Sequence, residues 1–229
     1  MFKIFRLISL LIFVTFPFPT SAHVQHYKDL NRIEFDIYRN NIHIGTHIFS
    51  FKKSGHELAI KSEIKFEIKK FGIVLYKYYA EGIEIYKGNK LIKFNSTTDQ
   101  NGKLKYANIE INNNNNNYII EGSAYKGEAP LEFLIGTWWN HDIVEAPAQI
   151  SAVSGRIIEQ KVKFLAKEIV KFGENSYNTL HYNFSSTDKK LSKKKKLNTD
   201  VWYDEKTLNW VKASFNKQGK WEYRLMSIK

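Results

Sequence analysis

From Leu58 to Lys69 the chain reads LAIKSEIKFEIK, with Leu58, Ile60, Ile64, Phe66 and Ile68 on one parity. Lys61, Glu63, Lys65, Glu67 and Lys69 occupy the other. A period of two sends the two sets to opposite faces of an extended strand, whereas a helix would scatter them around its circumference. One dry face and one wet face is the pattern of an antiparallel sheet with an open side. Most of the chain repeats this alternation, so the constraint reaches well beyond one strand.

Arg32–Arg39 predicts a first strand and Asn40-Asn41 a tight turn, because Asn tolerates positive φ. Ile42–Lys53 returns, and Gly45 within it marks a bulge or a close backbone approach. After Ser54-Gly55 and the strand above, Ile73–Tyr86 carries Val74, Tyr76 and Tyr78 on one parity and Ile83 and Ile85 on the other. That slip predicts a β-bulge near Glu81-Gly82. Strands follow at Leu91–Thr98, Lys103–Ile111 and Tyr118–Tyr125, and the six asparagines Asn112–Asn117 read as a solvated hairpin tip.

Residues 130–154 break the meander. They hold Pro130, Pro147, the pair Trp138-Trp139 and poor periodicity, which predicts a crossing loop or two short helices. Arg156–Phe172 is long enough to be read as two strands turning near Ala166-Lys167. Tyr177–Phe184, Thr199–Tyr203, Leu208–Phe215 and Trp221–Ile228 complete the series, with Lys189–Lys196 as a basic turn. The expected fold is all-β. About a dozen strands form one antiparallel meander, curled into a barrel or half-barrel because an open edge leaves amides unpaired. The irregular or short-helical segment crosses one end.

The first 22 residues read as a leader. Lys3 and Arg6 precede an apolar run from Leu7 to Phe18, and Thr20-Ser21-Ala22 supplies the small residues of a cleavage site. A bilayer core needs about 20 apolar residues, more than this run offers. Cleavage after Ala22 leaves residues 23–229 as a single exported domain, and zero cysteines suit a bacterial periplasm. The net charge is +12, but only 5 of the 35 basic residues are Arg, the residue whose bidentate fork suits nucleic acid. An anionic envelope surface is therefore the expected partner of the charge, and nucleic acid is not.

No nucleophile elbow, phosphate loop or zinc-protease motif is present. Three weaker constellations remain. Trp138, Trp139, His141 and Asp142 could stack on a ligand, with His141 as a base. The plainer reading has one Trp plugging the barrel while Asn140 to Asp142 turn the chain or cap a helix. His23, His26, His43 and His47 are candidate metal ligands, yet His43 and His47 stand about 13 Å apart along a strand. No metal or other cofactor is expected. Asp99, Asp204 and Glu81 could pair as acid and base, although Asp99 and Asp204 sit at strand ends where Asp makes turn hydrogen bonds.

The pieces also occur in a familiar order. FDIYRNNIHIGTHIFSF (35–51), YKYYAEGIEIYKGNKLIKFNSTTDQNGK (76–103), the Trp138-Trp139 pair and VWYDEKTLNWVKASF with Gly219, Tyr223 and Leu225 resemble exported domain-of-unknown-function proteins of alphaproteobacteria. Tyr86 stands where a Trp is usual, and Asn where a Gly is usual at position 40 or 41. The resemblance implies a periplasmic curved antiparallel sheet and brings no reaction, cofactor or catalytic residue. The expected function is a non-enzymatic binding module for a lipid-like ligand or an envelope partner, with Trp138, Trp139, His141, Asp142, Tyr76 and Tyr78 as candidate contacts. The alternatives are an envelope hydrolase or sugar-acting enzyme using the 138–142 segment, and a structural part of an envelope complex.

Overall fold

The computed structural model describes residues 27–192 and 195–229. The expected leader, His23, His26, Lys193 and Lys194 lie outside the described residues. A first run of hairpins comprises β1 (Arg32–Arg39), β2 (Ile42–Ser54), β3 (Glu57–Lys70), β4 (Ile73–Lys87) and β5 (Lys90–Gln100). It continues through β6 (Lys103–Asn112), β7 (Asn117–Gly122) and β8 (Lys126–Pro130). The crossing segment holds two short strands, β9 (Leu134–Ile135) and β10 (Ala148–Ile150), with a 3-10 helix at His141–Val144 between them. A second run follows with β11 (Ile157–Phe172), β12 (Asn175–Ser186), β13 (Asn198–Asp204), β14 (Trp210–Asn216) and β15 (Lys220–Ile228).

All fifteen strands join one sheet in the order β8-β7-β6-β5-β4-β3-β2-β1-β15-β14-β13-β12-β11-β10-β9. Two meanders therefore meet where β1 pairs with β15, the start of the fold against its end. Every pairing is antiparallel except β9 with β10. The sheet curves but does not close into a ladder. Its two flanks are tied through a loop instead: Ala124 N donates to Ser154 O at 2.9 Å, and Ser96 Oγ donates to Ala152 O at 2.5 Å.

The alternation read from β3 extends across the sheet. Ile33, Phe35 and Ile37 of β1 are buried, as are Phe49 and Phe51 of β2, and together they line the concave face. The crossing segment lies on that face, so the interior is filled by Trp139, Ile143 and Ile150.

Four expectations change. The three strands beyond a dozen are β8, β9 and β10, too short for periodicity to show. Arg156–Phe172 is one bent strand rather than two, with a bulge between Phe164 and Ala166 where the turn was expected. β4 bulges at Leu75, opposite Ile68/Lys69, and β5 bulges at Ile92, opposite Ile85/Tyr86, so Glu81-Gly82 pairs without a slip. As a result Ala80, Glu84 and Tyr86 are buried, while Ile83 is left 38% exposed. A carboxylate has taken the inward parity that Ile83 and Ile85 were expected to hold.

Candidate functional site

The paired tryptophans are separated by one backbone torsion. Trp138 has φ +61, which turns the chain and sends the two rings to different places. Trp139 is wholly buried, edge-on to Tyr27, Phe51 and Tyr86. It is the plug of the plainer reading. Its indole Nε1 donates to Glu84 Oε1 at 2.8 Å, Thr137 Oγ1 donates to the same oxygen at 2.9 Å, and Tyr86 donates to Oε2 at 2.8 Å. Burial lifts the Glu84 carboxyl above its usual range, opposed by these three donors. Glu84 thus fastens the crossing segment to β4.

His141 sits with Tyr27, Tyr182 and Tyr203 rather than with Tyr76 and Tyr78. Asn140 caps the 3-10 helix, its Oδ1 accepting from Asp142 N at 3.0 Å, as the capping reading expects. The His141 ring packs edge-on against Tyr203 at 4.8 Å and Tyr182 at 5.9 Å. Asp99 Oδ1 accepts from Gly102 N, and Asp204 Oδ1 from Lys206 N and Thr207 N, which are turn duties. Glu81 accepts from Tyr79 and pairs with Lys61. Of the histidines, His43 pairs with Asp36 at 3.2 Å. Among the described residues no group of three or more His, Asp or Glu is placed to hold a metal ion.

Tyr76 and Tyr78 gather in a different place, while the Trp138 ring packs edge-on against Trp210 and Tyr223. Phe66 of β3 stacks on Tyr78 at 4.7 Å and on Tyr76 at 6.1 Å, and Trp221 stands edge-on to Phe66 at 5.2 Å. This aromatic shelf borders an open groove of about 870 Å³ at the ends of β2, β3 and β4, with Arg39, Ile42, Ile44, Phe66 and Tyr78 in its walls. Arg39 reaches over the Trp221 ring at 5.9 Å and donates through one terminal nitrogen to Gln218 O. Its Nε is buried with no hydrogen-bond partner among the described residues.

Tyr78 also walls a second space. Behind it lies a chamber of about 200 Å³, roofed by Thr137, Trp138 and Gln149 of the crossing segment and floored by His47. At about 30 Å³ each, that is room for roughly seven waters. Typical ligand pockets enclose about 300–1,000 Å³, so the chamber holds no whole lipid, whereas the open groove falls within that range. The crossing segment takes up the rest of the concave interior.

His47 is 5% exposed among Phe35, Phe49, Trp210 and Tyr223, and neither ring nitrogen has a partner among the described residues. Burial pushes its pKa down to about 3, and pushes the Tyr78 hydroxyl up to about 12. His47 stays neutral in the fold and protonates near 6.5 when unfolded, so the unfolded chain binds more protons below that pH. Stability attributable to His47 should fall by about 1.4 kcal/mol per pH unit between about pH 6.5 and 3. Urea unfolding of wild type and His47→Leu at pH 7, 5.5 and 4.5 checks this, since the variant must gain on wild type as the pH drops.

Sequence reasoning missed Glu84, Phe66, Trp221 and Arg39 as site residues. Only Glu84 left a signal: a carboxylate two residues before Tyr86 and six after Tyr78, on the parity of both.

A family profile described as a domain of unknown function, DUF6134, matches residues 35–226. The chain belongs to the DUF6134 family. No curated protein matches it. The DUF6134 match begins in β1 and ends in β15, so it contains the shelf, the groove, the chamber and the crossing segment. An uncharacterised all-β domain family is what the motif order implied.

Proposed function

We propose that the domain is a non-enzymatic periplasmic module that holds a lipid-like amphiphile with an acidic head. The observation that carries this reading is the aromatic shelf of Phe66, Tyr76, Tyr78 and Trp221 beside the unpartnered Arg39 Nε, at the edge of a groove of about 870 Å³. Flat aromatic faces favour an apolar chain, and a guanidinium favours a carboxylate or phosphate over a neutral head. Tyr78 lies where the chain's far end would enter the chamber. The acid–base alternative lacks comparable support, since His141 is packed on tyrosines while Asp99 and Asp204 serve turns.

Trp221 provides the readout. A brominated single-chain carboxylate should quench the tryptophan emission saturably, and Trp221→Phe should remove much of that quenching. Tyr78→Ala should weaken binding of both the acid and its methyl ester, by roughly tenfold for the loss of one aromatic contact surface. Arg39→Met should weaken the acid alone by a similar factor. Absence of saturable quenching defeats the binding module; equal affinity for acid and ester in wild type defeats the acidic head.

A further inference from the structure

The β3–β4 hairpin is built differently from its neighbours. The β2–β3 ladder ends at Gly45 with Phe66, and the β4–β5 ladder begins at Tyr78 with Gln100. Between Glu67 and Tyr76 the two strands pair only with each other, up to Lys70 with Ile73. At about 3.3 Å per residue, the tip stands roughly 16 Å beyond Phe66 as a free two-stranded finger.

Its tip is oily. Phe71 is 92% exposed, Ile73 66% and Leu75 55%, with Val74 also exposed. The turn residues Phe71 and Gly72 both have positive φ, +50 and +76. The same two-residue turn occurs at Asn40-Asn41 (+51, +63) and Asn101-Gly102 (+55, +85), where the first position is Asn. Asn suits that conformation, while a bulky aromatic there is strained. Phe71 thus holds an unfavourable backbone position with its ring in solvent, and neither local geometry nor packing accounts for it. Lys69, Lys70 and Lys77 surround the tip against one carboxylate, Glu67, and Lys70 Nζ lies 5.5 Å over the Phe71 ring.

We infer that this finger docks the domain on an anionic bilayer, with Phe71, Ile73 and Leu75 entering the interface and the lysines meeting the headgroups. An apolar tip in a lysine collar on a chain of net charge +12 complements a negatively charged lipid surface, and lysine stems can lie along the apolar layer with their ammonium groups in water. The same antiparallel run brings the turn 101–102, with Leu104 exposed between Lys103 and Lys105, to the same end of the sheet. Ile68, Lys69 and Lys77 at the finger's base also wall the groove, so docking brings its mouth to the membrane. The inference stands whether or not the groove holds an amphiphile.

Vesicle flotation with the whole chain tests it, using phosphatidylcholine with and without phosphatidylglycerol. Wild type should float with the phosphatidylglycerol vesicles and be released by high salt. Phe71→Asn copies the sister turns, so it should melt at or above the wild-type temperature while binding at least roughly tenfold more weakly. Phe71→Trp should show a blue-shifted emission on those vesicles, and Arg39→Met should dock as wild type does. Equal flotation of wild type and Phe71→Asn overturns the inference. So does failure of wild type to float, or a wild-type dimer in sedimentation that Phe71→Asn dissolves, which would make the finger a contact between copies.

Discussion

Replacing Glu84 by alanine is expected to lower the unfolding free energy by on the order of 3–5 kcal/mol, enough to unfold a domain of ordinary stability. The substitution leaves the Trp139 indole, the Thr137 hydroxyl and the Tyr86 hydroxyl without their shared acceptor inside the core. Each stranded buried group costs about 1–3 kcal/mol, and the alanine also leaves a cavity. Glu84→Gln should remain folded, because its amide oxygen can accept from two donors while the Tyr86 hydroxyl turns to accept from the amide nitrogen. The glutamine also separates charge from shape. Burial raises the Glu84 carboxyl, so the fold retains that proton above the pH at which the unfolded chain loses it. Its contribution to stability is therefore greatest at acid pH and declines as the pH rises from about 4.5 through the folded value. Glu84→Gln should flatten that decline. Urea titrations at several pH values read both effects, and an alanine variant within 1 kcal/mol of wild type would show that Glu84 does not hold the crossing segment.

The second large effect is at Gly45. A Cβ built there lies 1.9 Å from Lys65 O and 2.6 Å from Phe66 Cα, both backbone atoms that cannot swing aside. Ile44, the residue just before it, is the extra one of the β1–β2 bulge, so the strands are already bent together at this point. Gly45→Ala must push β2 from β3, and we expect a loss of about 3 kcal/mol or more. It should also displace Phe66 and abolish the shelf in whatever protein remains folded. Gly82→Ala is the control: its Cβ would meet only side-chain atoms, Phe94 Cε2 at 3.2 Å and Ser62 Oγ at 3.3 Å, which can give. Thermal melts of the two variants should differ clearly, and equal melting temperatures would refute the close-approach argument.

These two residues also mark how far the sequence could be read. Gly45 was legible as a bulge or close approach, because a glycine inside an alternating strand has few other reasons to be there. Glu84 was not. Parity reasoning places apolar side chains inward, and Ile83 and Ile85 offered it a consistent but opposite phase. The real phase buries a carboxylate, which is tolerable only because donors arrive from residues 137 and 139, more than fifty positions away. No local pattern encodes that. Trp138 and Trp139 stand out as a pair in the sequence, but the φ of +61 that divides them depends on the packing around each ring.

Alternation of oily and charged side chains was enough to establish an all-β antiparallel meander, its turns and its irregular crossing segment, since period-two burial is a property of each strand by itself. Which strands meet across the start and end of the chain, how the interior is filled, and where Phe66, Tyr78, Trp221 and Arg39 gather were decided only by tertiary structure. Those outcomes depend on contacts between residues up to about 180 positions apart, and distant side chains leave no mark on one another's local periodicity.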